Sequence, residues 1–390
     1  MKRFAPFLIV LFIIAAILQI DFFFAVVYLF FGVYILSRVW VSRSLAHLRL
    51  DRRFVDRAFP GDTVPVEVTV ANSAWLPLPW LELQESVPIA LVAAANQHKV
   101  VTLRSRASTS LTYELSCRKR GYYRVGPLIL RTGDLLGILP QRHSQLPAQH
   151  MIVYPQVLPL HELGLPTHAP QPAIRCTTPL FEDPARIMGV RDYTRGDSPR
   201  RIHWTATASA GRLLVKQFEP SVARETLVCL DLDVDNYGRR QRYTATELAI
   251  VATASILNHI ITIEGLPAGL ATHGLDPLVG NDIDFSLPPR AERAHLMNTL
   301  EILARVQPTS NSTFHSLLRQ YSASLPFGAT VVVVTGGETP SLVETMMYLQ
   351  QRGFTPMLIL IQPGVAERGA EILGIHVSRV WQTEGLERLA

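Results

Sequence analysis

The chain has 390 residues, 48% of them hydrophobic, with 37 basic and 32 acidic side chains and a formal net charge of +5. That length admits two or three domains. Its three cysteines, Cys117, Cys176 and Cys229, are odd in number and far apart, which excludes a disulfide framework or a paired-cysteine metal site and suits a reducing compartment. A basic surplus points to nucleic acid or an anionic membrane surface, and the N-terminus decides in favour of the membrane.

Residues 4–37 carry a single charge, Asp21. One helix over residues 4–40 would be about 55 Å long, against a hydrocarbon core of about 30 Å. Gln19 and Asp21 interrupt the run and leave two apolar segments, 4–20 and 22–40. The expected arrangement is a two-helix transmembrane hairpin within residues 1–44. A signal peptide is the alternative reading of Met1-Lys2-Arg3, but no small-residue cleavage site follows and a second apolar segment does. Lys2 and Arg3 precede the first span, and Arg38, Arg43, Arg49, Arg52, Arg53 and Arg57 crowd the end of the second. Positive flanks on both sides place the bulk of the chain on the cytoplasmic face of the inner (plasma) membrane.

From Leu48 the pattern changes to alternation. In "VPVEVTVANSA" (64–74), Val64, Val66, Val68 and Val70 share one face, as in a half-buried strand ending at a turn. Further short strands are punctuated at Arg120-Gly121, Gly126-Pro127 and Gly133-Asp134. The spacing predicts a β-sandwich of immunoglobulin-like type over residues 45–160, with Trp80 packing where the chain crosses between sheets.

From Glu225 to Ala390 strands and helices alternate. "TLVCLDLD" (226–233) suits a buried parallel strand, 244–262 reads as a helix, and the strand 329–337, helix 340–352 and strand 355–362 follow. The predicted domain is α/β with a parallel sheet, its ligands at the C-terminal strand ends. There Asp231, Asp233 and Asp235 stand at alternate positions, a pattern able to hold Mg2+ or another divalent cation through oxygen; a solvated acidic loop is the plainer reading. The segment resembles a von Willebrand factor A domain. Asp231 matches the first Asp of that family's adhesion-type metal site, Asp233 and Asp235 stand where its serines would be, and Thr313 matches its loop Thr. Thr335-Gly336-Gly337 stands where the family has Thr-Asp-Gly.

Between these domains, residues 161–224 read as a linker with an insert, "GVRDYTRGDSPRRIHWTATASAGRLLVKQFEP" (189–220). Pro199 at a first helical turn and Gly211 at a left-handed stop predict strand, turn, one helix over 199–210, and strand. A Ser198–His203–Asp197 catalytic reading fails on spacing, because residues five apart on a helix diverge. Arg191, Arg195, Arg200, Arg201, Arg212 and Lys216 with Trp204 would suit nucleic acid, but Asp192, Asp197 and Glu219 dilute the charge and no nucleic-acid module is present. The expected role is a clasp: arginines paired with acids and carbonyls across the domain junction, Trp204 packed beneath, and a surface presented to a partner. Gly189, Arg191, Tyr193, Gly196, Asp197, Arg201, Ile202, Trp204 and Lys216 together resemble the signature of the bacterial family called domain of unknown function 58. "RGYYRVGPLIL" and "GDLLGIL" upstream resemble its other segments. Membership implies genes beside MoxR-type AAA+ ATPases and a role in protein assembly, and it carries over no catalytic residue.

The expectation is therefore a membrane-anchored, non-enzymatic adaptor that engages the lipid bilayer, a MoxR-type AAA+ ATPase and a protein client, but no nucleic acid. A cation at Asp231 and Asp233, completed by a partner carboxylate, is one docking chemistry. A metal-dependent hydrolytic enzyme of envelope maturation is the alternative.

Overall fold

The computed structural model describes residues 9–10, 12–14, 16–17, 21–91, 98–133, 142–160, 162–163, 182–194, 197–220, 225–310, 314–362, 369–382, 386 and 388–389. The chain divides into two units, Met1–Gln156 and Val157–Ala390.

The first unit begins with an apolar helix, α1 (Asp21–Ala46). Two stretches of the described residues, 24–46 and 242–263, are long and apolar enough to cross a bilayer; the second is mostly buried in the protein and the first is not. Phe22, Tyr28, Leu29, Phe31 and Leu36 of α1 face outward. A bare apolar helix of this length near the N-terminus serves as a membrane anchor or a signal sequence. Of the expected first span, the described residues between 9 and 17 are helical, and the Phe12 ring lies 6.3 Å from that of Phe24, edge to face.

After one intervening residue, β1 (Leu48–Arg53) pairs antiparallel with β3 (Thr63–Asn72), and β3 with β6 (Ser108–Ser116). A second antiparallel sheet runs β5 (His98–Leu103), β4 (Leu78–Glu85), β8 (Leu128–Thr132), β9 (Arg142–Leu146). A small third sheet joins β2 (Arg57–Ala58), β10 (Gln149–Val153) and β7 (Gly121–Val125). The alternation in β3 does what its period dictates: Val64, Val66, Val68 and Val70 are buried with Leu78, Leu81, Leu83, Leu111, Leu115, Leu128 and Leu130 in one core. Trp80 sits within β4, not at a crossing, and the missing Cβ of Gly133 leaves room for its ring.

The second unit contains two short strands, β11 (Glu162–Leu163) and β20 (Arg388–Leu389), a two-stranded ribbon and a six-stranded sheet. The ribbon is β12 (Glu182–Asp192) against β13 (Leu214–Pro220), antiparallel. The sheet is ordered β16, β15, β14, β17, β18, β19, from β14 (Thr226–Leu230), β15 (Ala268–Asp276), β16 (Asn281–Arg290), β17 (Thr330–Thr335), β18 (Thr355–Ile361) and β19 (His376–Val380). It is mixed where a parallel sheet is expected: five strands are parallel, and the edge strand β16 runs antiparallel to β15. The cause is the Pro277–Gly280 turn, which is closed by Gly280 N–H donating to Asp276 O at 2.8 Å. So short a connection permits only antiparallel return. Pro288 and Pro289 are tolerated because β16 is an edge.

In the insert, the expected single helix is split. Pro199–Arg201 form one 3₁₀ turn, Ile202 is extended and bridges Val215, and α2 (Trp204–Ala210) starts only after His203. Burial of Ile202 against the ribbon outweighs helical continuity. Gly211 ends α2 in the left-handed region, φ 68°. The remaining helices are α3 (Arg242–Asn258), α4 (Arg293–Arg305), α5 (Phe314–Ser322), α6 (Pro340–Gln351) and α7 (Gly369–Ile372). Phe314, Leu317 and Leu318 of α5 and Leu342, Met346 and Leu349 of α6 cover one face of the sheet against Leu227, Val331, Val333 and Leu358.

Candidate functional site

Strand β14 is the switch point of the sheet. The chain moves outward to β15 on one side and to β17, β18 and β19 on the other, so the loops after β14 and β17 bound the crevice where such sheets bind ligands. The first residue after β14 is Asp231, 1% exposed. Its Oδ1 accepts from Asp233 N–H at 3.0 Å, and its Oδ2 accepts from Asn236 Nδ2 at 2.7 Å and Thr335 Oγ1 at 2.8 Å. Tyr237 OH donates to the Asp231 carbonyl at 2.5 Å. Burial holds the Asp231 carboxyl above its ordinary range, against the pull of those three donors. Asp233 is used within its own loop: its Oδ1 accepts from Asp235 N–H at 3.0 Å. Asp235 turns out to solvent and meets Arg242 at 3.2 Å. Thr313 lies outside the described residues.

Both oxygens of Asp231 are occupied by protein donors, and among the described residues no three His, Cys, Asp or Glu side chains converge on one point. Gly336 explains the departure from the adhesion pattern. A Cβ there would stand 2.4 Å from Tyr237 Cδ1 and 2.7 Å from Asn236 O. No side chain fits at 336 unless the loop after β14 moves, so Gly336 and Tyr237 are two halves of one packing arrangement.

The same strand-end region carries a contact that sequence reasoning missed. Ser341 Oγ, on the first turn of α6, lies 2.9 Å from His315 Nε2 on α5. Thr339 caps α6 through Leu342 N–H. A hydroxyl on an imidazole is nucleophile–base geometry, but among the described residues His315 Nδ1 is buried with no partner and no carboxylate orients the ring. Nearby in the chain, Glu338 is buried with Oε2 accepting from Ala370 N–H at 3.2 Å and Oε1 unpartnered. The two residues are 26 apart and follow no motif; Thr339-Pro340 reads only as a helix start.

The arm built by β12, α2 and β13 holds the signature residues. Arg191 and Asp197 form a two-pronged pair, 2.7 Å on each prong. Thr194 adds its N–H at 2.9 Å and its Oγ1 at 3.0 Å to Asp197 Oδ2. The Arg191 guanidinium, then the Thr194 N–H, hold the Asp197 carboxyl well below the usual carboxylate range. Arg212 meets Asp192 at 3.1 Å. These pairs are made within the arm. His203 Nδ1 accepts from Ala206 N–H at 3.2 Å and so caps α2; among the described residues it makes no hydrogen bond to Asp197 or Ser198. Trp204 does not pack beneath: it is 67% exposed, because a seven-residue Ala/Thr helix offers no apolar stripe to bury it. Tyr193 and Leu213, paired through Tyr193 N–H to Leu213 O at 3.0 Å, are exposed beside it in the chain, as are Arg200 and Arg201. Lys216 is half-buried opposite Val190. A Cβ at Gly189 would meet open space, and nothing in the structure explains a glycine there. Gly196 lies outside the described residues.

The upstream "RGYYRVGPLIL" motif has a structural account. Arg52 and Glu85 form a pair at 2.6 Å with both side chains fully buried, and Arg52 Nη1 donates to Pro147 O at 3.0 Å. A Cβ on Gly126, which lies at φ 100°, would be 2.8 Å from that guanidinium. Glycine lets the β7–β8 turn close over the ion pair. The described thiols are inert: Cys117 is pushed up to about 11 by burial and Asp62, and Cys229 is raised by burial.

Taken by fold, this is a chain with an apolar N-terminal helix, a β-rich unit and a mixed α/β unit. Residues 189–352 match the family described as Protein of unknown function DUF58, so the resemblance carried by the signature holds, and the match begins at Gly189 itself. A relative in Bacillus subtilis (strain 168), the uncharacterized protein YeaD, is 24% identical over 325 residues, covering 80% of this chain and 74% of that one. Among solved structures, the CARDB domain of the PF1109 protein from Pyrococcus furiosus is 16% identical, covering 27% of this chain and 91% of that one, with a TM-score of 0.22. A β-glucosidase from Listeria innocua is 15% identical, covering 28% of this chain and 16% of that one, with a TM-score of 0.18.

Proposed function

We propose that this protein is a membrane-anchored, non-enzymatic adaptor that works with a MoxR-type AAA+ ATPase on a protein client in assembly or envelope maturation. The observation that carries the reading is the arm: Trp204 is exposed at the start of α2, and the turn that leads to it is held in shape by the Arg191–Asp197–Thr194 network. A large exposed indole beside a preorganised, charged turn is the composition of a protein-docking hot spot. The α/β unit is read as a von Willebrand factor A-like domain with an altered adhesion site, and strand-end Asp231 beside Thr335 supports that reading. The β-rich unit is read as immunoglobulin-like, supported by its shared two-sheet core.

The anchor is read as a two-helix hairpin with the bulk of the chain cytoplasmic. The Phe12–Phe24 ring contact supports it, since twelve residues of unbroken helix would hold those Cα atoms about 18 Å apart. Purification of the full-length chain from gently solubilised native membranes, with Mg2+ and ATP, tests the adaptor role. A AAA+ ATPase identified by mass, recovered in a nucleotide-dependent way, is expected; its absence from membranes that contain it overturns the reading.

The Ser341–His315 contact favours a second reading, a hydrolase of envelope maturation. Ester hydrolysis by the full-length chain that Ser341→Ala abolishes would establish it, and equal background rates in both proteins would dismiss it.

A further inference from the structure

At the C-terminal end of α1 the β-rich unit presents a second feature that neither the anchor nor the arm uses. Arg38 is the first charged residue after Asp21, so it marks where the apolar helix meets water. Two loops of the β-rich unit climb alongside the helix at this level. Trp40 Nε1 donates to Pro77 O at 2.9 Å, and Ser73 Oγ donates to His47 O at 2.6 Å. The loop 73–77 is therefore tied to α1 between residues 40 and 47. A rise of 1.5 Å per residue puts its upper tie about 3 Å, axially, from Arg38. The neighbouring loop is tied in turn: Ser105 Oγ donates to Ala74 O at 3.1 Å, and Asn72 Nδ2 to Arg104 O at 3.2 Å.

The tip of this platform is Trp75, 78% exposed. Arg104 and Arg106 on the loop tied to it, and Arg43 between the two ties on α1, are exposed, and among the described residues no carboxylate pairs with any of them. Arg106 holds a left-handed backbone, φ 55°, closed by its N–H on Ala74 O at 3.3 Å. Unpaired arginines with an indole at the mouth of an apolar helix match the chemistry of a bilayer interface. Tryptophan partitions to headgroup depth, and basic side chains near an anionic leaflet each favour binding about fivefold.

We propose that this end of the β-rich unit is a binding surface for anionic phospholipid headgroups, with Trp75 inserted at the interface and Arg43, Arg104 and Arg106 on the phosphates. The inference rests on reading α1 as a membrane anchor. The surface fixes the β-rich unit against the bilayer instead of leaving it on a free tether.

The test uses the full-length chain reconstituted in phosphatidylcholine vesicles brominated near the head of the acyl chain, with and without phosphatidylglycerol. Flotation first establishes whether the chain is in the bilayer. Tryptophan quenching is then compared between the unaltered chain, Trp75→Phe and the double variant Arg104→Gln/Arg106→Gln. The expected result is a quenched component that Trp75→Phe removes, that grows with phosphatidylglycerol, and that loses this growth in the double variant. Equal quenching in the unaltered chain and Trp75→Phe, in vesicles that float with the protein, overturns the surface and leaves the anchor standing. A Trp75 component indifferent to phosphatidylglycerol overturns the headgroup specificity. Protein that fails to float overturns the anchor reading and this inference with it.

Discussion

Two arginine–carboxylate pairs of similar length have opposite consequences in this molecule. Arg52–Glu85 is fully buried in the β-rich unit, while Arg191–Asp197 lies at the surface of the arm with the arginine 43% exposed. At Glu85 burial wins and raises the carboxyl above its ordinary 4.5 despite Arg52. At Asp197 the donors win and lower it. Removing one partner of a buried pair strands a charge in a low dielectric, whereas exposed pairs add little to global stability. The first pair is thus part of how the β-rich unit closes, with Gly126 shaped around it. The second shapes a loop that the core does not need, which is why the docking role is proposed for the arm.

The largest effect expected from this contrast is at the buried pair. Arg52→Ala is expected to lower the unfolding free energy by about 3–5 kcal/mol, measured by urea denaturation of the unit containing Tyr113 and Tyr154. Replacing both partners together, Arg52→Met/Glu85→Leu, is expected to recover most of that loss, since neither charge is then left alone. Next comes the strand-end knot. Asp231→Ala leaves three donors without their acceptor; half-buried Asn236 can turn to water, so the expected loss is about 2–3 kcal/mol, within the cost of one or two orphaned buried donors. Loss of cooperativity in the α/β unit, followed by Tyr237 fluorescence, is the readout.

The pH dependence separates the two pairs by sign. Glu85 has a raised folded value, so its contribution is fully present below 4.5 and declines as pH rises above it. Asp197 has a lowered one, so its contribution is present above 3.8 and is lost as pH falls below that. Hydrogen exchange corrected for intrinsic rates is expected to show amides 190–194 opening on acidification below about 3.8 before the β3 amides do. Simultaneous opening would erase the distinction between arm and core. The smallest stability effect is expected at Trp204→Ala, within about 0.5 kcal/mol as for an ordinary surface change, even though this is the residue on which partner binding is expected to depend.

Much of this was legible in the residues, for identifiable reasons. The valine alternation of β3 and the apolar run of β14 state their burial directly, because one face or both faces must leave water. The arm's strand, turn and strand were marked by Gly211 and Pro199. What was not legible depends on contacts distant in sequence. The β15–β16 hairpin hides behind Gly269, Gly274, Pro288 and Pro289, which break any alternation; Gly269 is there because a Cβ would lie 2.5 Å from Leu287 O. The use of Asp231 as an internal acceptor depends on Thr335, 104 residues away. A spacing of Asp-x-Asp-x-Asp shows available oxygens and not what already occupies them. Likewise, nothing local announces that His315 and Ser341 meet, or that Trp204 is left in the open.

The central claim is that the arm, and Trp204 on it, is where a partner docks. The direct measurement is nucleotide-dependent recovery of the AAA+ ATPase from native membranes by the unaltered full-length chain and by Trp204→Ala, at matched expression and matched thermal stability. The expected result is recovery by the former and at least a tenfold loss by the latter, an effect of about 1.4 kcal/mol or more on binding. Equal recovery by both proteins would contradict the account and move the docking surface off the arm.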